Sequence, residues 1–147
     1  MIKNYAYILT IVVAITTYMV QFSIIQQRKH EKMMLRHISN CVKDEEHLDD
    51  ILKTLPSSMY YMVLDDDGKV VEHSTNKNII GLNLKSNVYM EKSIKKLVSK
   101  AVTGGGYTKF KWGNGDHIGH HIAYSKRLNN KNTLCIIKDG LFEEQVE

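Results

Sequence analysis

The chain has 147 residues, a formal net charge of +4, two cysteines and one proline, which leaves room for one modest core and no second domain. The basic surplus is mild: it suits anionic head groups or small carboxylates, but it lacks the dense stripe and the motifs of a nucleic-acid binder. Cys41 and Cys135 stand far apart in no metal-like spacing, both at core-type positions, so buried free thiols are expected rather than a disulfide.

After a short tail over residues 1–4, YAYILTIVVAITTYMVQFSII runs from residue 5 to 25 without a charge. As a helix it spans about 30 Å, the thickness of a bilayer hydrocarbon core. No small-residue cleavage site follows before residue 30, so the segment reads as an uncleaved membrane anchor, with a buried helix as the alternative. Its flanks hold Lys3 on one side and Arg28, Lys29, Lys32 and Arg36 on the other. By the positive-inside rule alone, that distribution would put the C-terminal part in the cytoplasm.

Residues 26–55 contain helix formers and no glycine or proline until Pro56, predicting a stalk helix continuous with the anchor. Met34, Ile38, Cys41, Glu45, Leu48, Leu52 and Leu55 recur at spacings of four and three, a heptad seam broken at Glu45. That seam has two uses: pairing with a second copy as a coiled coil, or lying on the sheet of its own domain. Val42, Ile51 and Leu55 broaden its lower half to core width, which favours the second use there.

From Pro56 the period changes to two. MYYMVLDDDGKVVEHS reads as a strand, an acidic turn at Asp66, Asp67 and Gly68, and a second strand. The aspartates lack the later ligands of a calcium loop, so a turn is the reading. NKNIIGLNL is a loop with apolar anchors, and residues 87–103 form an amphipathic helix with Ile94, Leu97, Val98 and Ala101 on one stripe. Gly104 to Gly106 end it. YTKFKW, HIGHHIAYSKR and TLCIIKD then complete an antiparallel run, and residues 141–147 form a tail. The predicted class is α+β: an anchor and stalk helix, then a five-stranded antiparallel sheet with a flanking helix over residues 56–140.

Three histidines crowd HIGHHIAYS. Strand alternation sends His120 to one face with Ile118 and Ile122, and His117 and His121 to the other, roughly 13 Å apart along an extended strand. That is too far for one zinc unless His73 or another ligand arrives from elsewhere, so no metal site is expected. Histidine lining a pocket, or held structurally at the surface, remains. No nucleophile elbow, paired carboxylates or dinucleotide glycine spacing is present, and the chain is expected to be neither an enzyme nor a cofactor carrier.

Taken in order, YYMVLDDDGKVVEHS, IIGLNL, AVTGGG, YTKFKW, IAYSKRL and LCIIKDG resemble the pieces of a single Cache domain, an extracytoplasmic sensor with a PAS-like sheet, over residues 26–140. The resemblance implies a periplasmic, chemotaxis-type sensor on an inner-membrane anchor, with a pocket on one sheet face for a carboxylate or an amino acid. By position it implies ligand contacts from Tyr107, Lys109 and Trp112, from Tyr124 and Lys126, from His73 and Tyr89, and from His121 as a pocket-lining histidine. Arg127 is the lone arginine of that region, so a bidentate carboxylate clamp is not expected. The chain stops soon after Gly140, so a second span and an output domain are not expected and a partner membrane protein would supply the output. The alternative is an accessory subunit of a membrane complex that uses the same fold for interaction, with Met59, Tyr60, Tyr61 and Met62 filling the cavity.

Overall fold

The change from helical to alternating periodicity at Pro56 marks the main architectural boundary. In the computed structural model, the backbone is described for residues 2–43, 48–114 and 117–140, and side chains for 9–43, 48–51, 53–112 and 119–140. The chain divides into two units, Met1–Met34 and Leu35–Glu147.

Helix α1 (Ile2–Cys41) crosses that division. Its apolar part is long and apolar enough to cross a membrane, with a mean hydropathy of 1.6. Its side chains from Leu9 to Ile25 are exposed, as a lipid-facing helix requires. Thr16 and Thr17 fold their hydroxyls back onto the carbonyls of Val12 and Val13 at 2.8 to 2.9 Å, which satisfies those two donors within the helix.

The helix expected to run to residue 55 ends earlier. Val42 and Lys43 leave the helical path, and a five-residue helix, α2 (Leu48–Leu52), follows. Glu45, the seam-breaking residue, lies outside the described residues. The buried stripe is also shifted by one position: Leu35, Ser39 and Val42 are buried, whereas Met34 and Ile38 are half-buried. Cys41 is therefore exposed, contrary to the core position expected for it, because the domain takes the neighbouring face of the helix. Cys135 is buried and free, and burial pushes its thiol up to about 12.

Strands β1 (Met59–Leu64), β2 (Val70–His73), β3 (Gly106–Asn114), β4 (His117–Arg127) and β5 (Thr133–Asp139) form one antiparallel sheet in the order β2-β1-β5-β4-β3. Residues 115 and 116, between β3 and β4, lie outside the described residues, as does the tail 141–147. Helix α3 (Glu91–Val102) presents Ile94, Leu97 and Ala101, the predicted stripe, to one sheet face. There Ile94 and Leu97 join Met62, Leu64, Val70, Phe110, Ala123, Cys135 and Ile137 in a continuous core. Each such aliphatic side chain, once fully buried, contributes about 1.5 to 3 kcal/mol.

The acidic β1–β2 connection is the predicted turn. Gly68 N–H donates to the Asp65 carbonyl at 3.1 Å, and the Asp65 carboxylate accepts from Lys69 N–H at 2.8 Å. Arg127 reaches across to the Asp66 carboxylate at 2.5 Å, holding that carboxyl below its usual range.

Candidate functional site

Register decides which side chains share a face. Phe110, His121 and Asp139 align across three strands, and Thr108, Ala123, Ile137 and Tyr60 form the next row on the same face. His73 joins them through its pairing with Met62. This is the face covered by α3, yet the core fills it incompletely. A cavity of about 410 Å³ remains at one end, walled by Tyr60, His73, Trp112, His121 and Asp139, with Ser57, Ser58, Thr75, Asn76 and Ile79 at its margin. That volume is in the range of small-molecule sites.

Two histidines define its polar character. The backbone N–H groups of Thr75 and Asn76 approach Nδ1 of His73 at 3.3 and 3.0 Å, so Nδ1 is an acceptor and a neutral ring carries its proton on Nε2. Burial, reinforced by the nearby Lys77 ammonium, holds this imidazole below its ordinary value. His121 is fixed differently: its Nδ1 lies 2.7 Å from the Asp139 carboxylate, and its ring stacks on Phe110. Tyr60 bridges the two, stacked on His73 with ring centroids 5.2 Å apart and with its hydroxyl 3.5 Å from Nδ1 of His121. Burial, then the Asp139 charge, raises the Tyr60 phenol well above its usual range, so it stays a neutral donor. The wall thus combines hydroxyl and imidazole donors, one carboxylate and an indole, with no lysine or arginine among its described residues.

A pH dependence follows from His73. Its folded-state value lies below the ordinary 6.5, so in the window between the two the unfolded chain binds more protons. The stability due to the neutral ring is fully present above pH 6.5 and is lost as pH falls through that window. His73→Asn keeps an acceptor for the two N–H groups but cannot titrate. Urea unfolding of the full chain in uncharged detergent between pH 5 and 8 is therefore expected to show a shallower acid loss in the variant, and equal slopes would remove the assignment.

The eight residues expected at the ligand site divide between the two faces. His73, Trp112 and His121 meet in the cavity. Tyr107 and Tyr124 pack edge to face on the opposite side, in one row with Ile136 and Tyr61. Lys126 donates from Nζ to the Val42 carbonyl at 2.9 Å and reaches that of Ser39 at 3.5 Å, capping the C-terminal end of α1. Lys109 lies at a separate cleft beside α3, and Tyr89 is 77% exposed and absent from the cavity wall. Sequence reasoning missed Asp139, and it placed Tyr60 at the cavity only as bulk that would fill it. Tyr60 alternates with Met62 and Leu64 and reads as a core position, while Asp139 ends the last strand and reads as a solvated carboxylate.

Of the four residues that the alternative reading places in the cavity, Met59 and Tyr60 line it, Met62 is in the core, and Tyr61 points to the other face and donates to Glu72 at 2.9 Å. Among the described residues, no group of three or more His, Cys, Asp or Glu side chains is placed to hold a metal. The side chain of His117 is outside the described residues.

The sequence model of Single Cache domain 2 matches residues 1–144. In structure, the chain is similar to a methyl-accepting chemotaxis protein from Vibrio parahaemolyticus RIMD 2210633, at 20% identity and a TM-score of 0.58, covering 80% of this chain and 91% of that one. A periplasmic sensor domain of a chemotaxis protein aligns at 14% identity and a TM-score of 0.46, covering 76% and 88%. A Cache chemosensory domain described for carboxylic acid recognition aligns at 13% identity and a TM-score of 0.46, covering 80% and 89%. No curated protein matches the sequence significantly.

Proposed function

We propose a function from one premise: the chain belongs to the Single Cache domain 2 family. It is a Cache sensor domain of the chemotaxis-receptor type, and the finer reading concerns its ligand and its setting. The domain is held to the membrane by residues 5–25, stands outside the cytoplasm, binds a small metabolite in the cavity beside His73, and passes the event to a partner protein. The observation that carries this reading is the cavity itself, with Tyr60, His73, Trp112, His121 and Asp139 converging on it.

The balance of charges narrows the ligand class. A dianion buried there would meet no lysine or arginine among the described wall residues, only neutral hydroxyl, imidazole, indole and amide donors, so its desolvation would be poorly offset. An amino acid fits better: its carboxylate takes the Tyr60 and histidine donors, its ammonium takes Asp139, and Trp112 with Ile79 forms an apolar wall for its side chain.

Thermal unfolding of the full chain in uncharged detergent, against a panel of amino acids and organic acids, tests this. A ligand at a hundred times its Kd stabilises by about 2.7 kcal/mol, so at least one amino acid is expected to raise the midpoint by several degrees. Asp139→Asn should weaken the response to amino acids about tenfold while sparing simple acids, given the usual size of a charge-assisted contact. A flat panel, or a response that survives His121→Ala, would count against the reading. A reporter fused at residue 147 that works only in the cytoplasm would reverse the proposed orientation.

A further inference from the structure

The sheet carries a second concavity, at the opposite edge from His73 and sharing no wall residue with the first. It is a cleft of about 570 Å³ between α3 and the edge strand β3. Lys92, Lys95, Lys96 and Lys100 line it from one stripe of α3, and Lys109 from β3. None of its described wall residues is Asp or Glu, although Glu91 engages Lys95 at 2.5 Å from its end. Like charges at spacings of three and four along a helix repel one another, a cost that a bound anion would remove.

An independent feature of the same wall points to a ligand. Thr108 is only 6% exposed, and its Oγ1 is buried without a hydrogen-bond partner. Register explains this: Thr108 lies opposite Ala123, whose methyl offers nothing to bond, and Ile137 follows in the same row. A buried hydroxyl left without a partner is uncommon in native folds. Here it lies on the wall that the lysines line.

We propose that this cleft binds a small phosphate-bearing anion, with the α3 lysines supplying charge and the Thr108 hydroxyl a directed hydrogen bond. Lysine ammoniums act as point charges that approach a tetrahedral phosphate from several sides. A planar carboxylate would be better matched by the two-pronged guanidinium, which the described wall lacks. The anion comes from one of two sources, a soluble phosphate compound or a phospholipid head group.

Calorimetric titration of the full chain in uncharged detergent with inorganic pyrophosphate tests the site. Saturable one-to-one binding is expected, weakening as salt rises, and about tenfold weaker in Lys96→Gln/Lys100→Gln, since those charges act across a few ångströms of partly screened space. Thr108→Val is isosteric. It should weaken binding about threefold, the size of one modest hydrogen bond, without lowering the melting temperature, because it removes an unpaired buried hydroxyl. That combination separates a ligand role from a structural one.

Repeating the titration in bilayer discs distinguishes the sources. Pyrophosphate binding that is lost when phosphatidylglycerol is added to a phosphatidylcholine disc assigns the head group, and binding that persists assigns the soluble anion. No saturable binding at millimolar pyrophosphate, or binding that the double variant leaves unchanged, overturns the proposal. The reading of the cavity beside His73 would be untouched by that failure.

Discussion

Gly68→Ala is expected to lower the stability of the folded domain by about 3 kcal/mol, from left-handed backbone strain of about 1 to 2 kcal/mol together with overpacking of similar size. Gly68 has φ of 76°, which an L side chain adopts at a cost. An added Cβ would also stand 2.8 Å from Cγ2 of Ile94 and 2.7 Å from Cγ of Lys85. The lysine can move, although its ammonium is held by the Asp66 carbonyl, but Ile94 is fully buried in the core under α3. The turn and the helix would therefore be pushed apart together. Thermal unfolding of the full chain should show a drop of roughly 10 °C, scaled for a domain of this size. A midpoint within a degree or two of the parent would mean that the turn and the helix part without cost.

The second large effect is expected at Lys126. Its ammonium serves the carbonyls at the end of α1, where that helix enters the domain. Lys126→Met keeps much of the aliphatic stem but removes the charge-assisted bonds to the helix end, a loss of about 2 kcal/mol. Lys126→Arg should recover part of it. Neither change touches the cavity wall, so ligand-dependent stabilisation should persist in Lys126→Met at its lowered midpoint. Loss of ligand response with unchanged stability would return Lys126 to the binding site. Strand β4 carries His121 into the cavity and Lys126 to the end of α1, so a single strand joins the cavity to that helix end.

The two residues also show how far sequence reading reaches. Alternation within HIGHHIAYSKR separates His121 from His120, and that parity is a property of the extended chain itself. The same parity puts Lys126 and Tyr124 on the face opposite His121. It was the family resemblance, applied by position along the chain, that grouped all three at one site.

The sequence by itself determined the order of the strands, the apolar N-terminal segment, the glycine turn at 68 and the stripe of α3. Each depends on local rules of period, turn chemistry and helix propensity that act over a few residues. Only the tertiary structure decided that Tyr60 and Asp139 join His73 and His121, that Cys41 faces outward, and that Lys126 caps a helix. Those outcomes depend on pairing between strands far apart in sequence and on which face of a helix the sheet accepts. A one-residue shift in either exchanges core for surface, and which partner strand or sheet face each meets is decided by residues far apart in the chain.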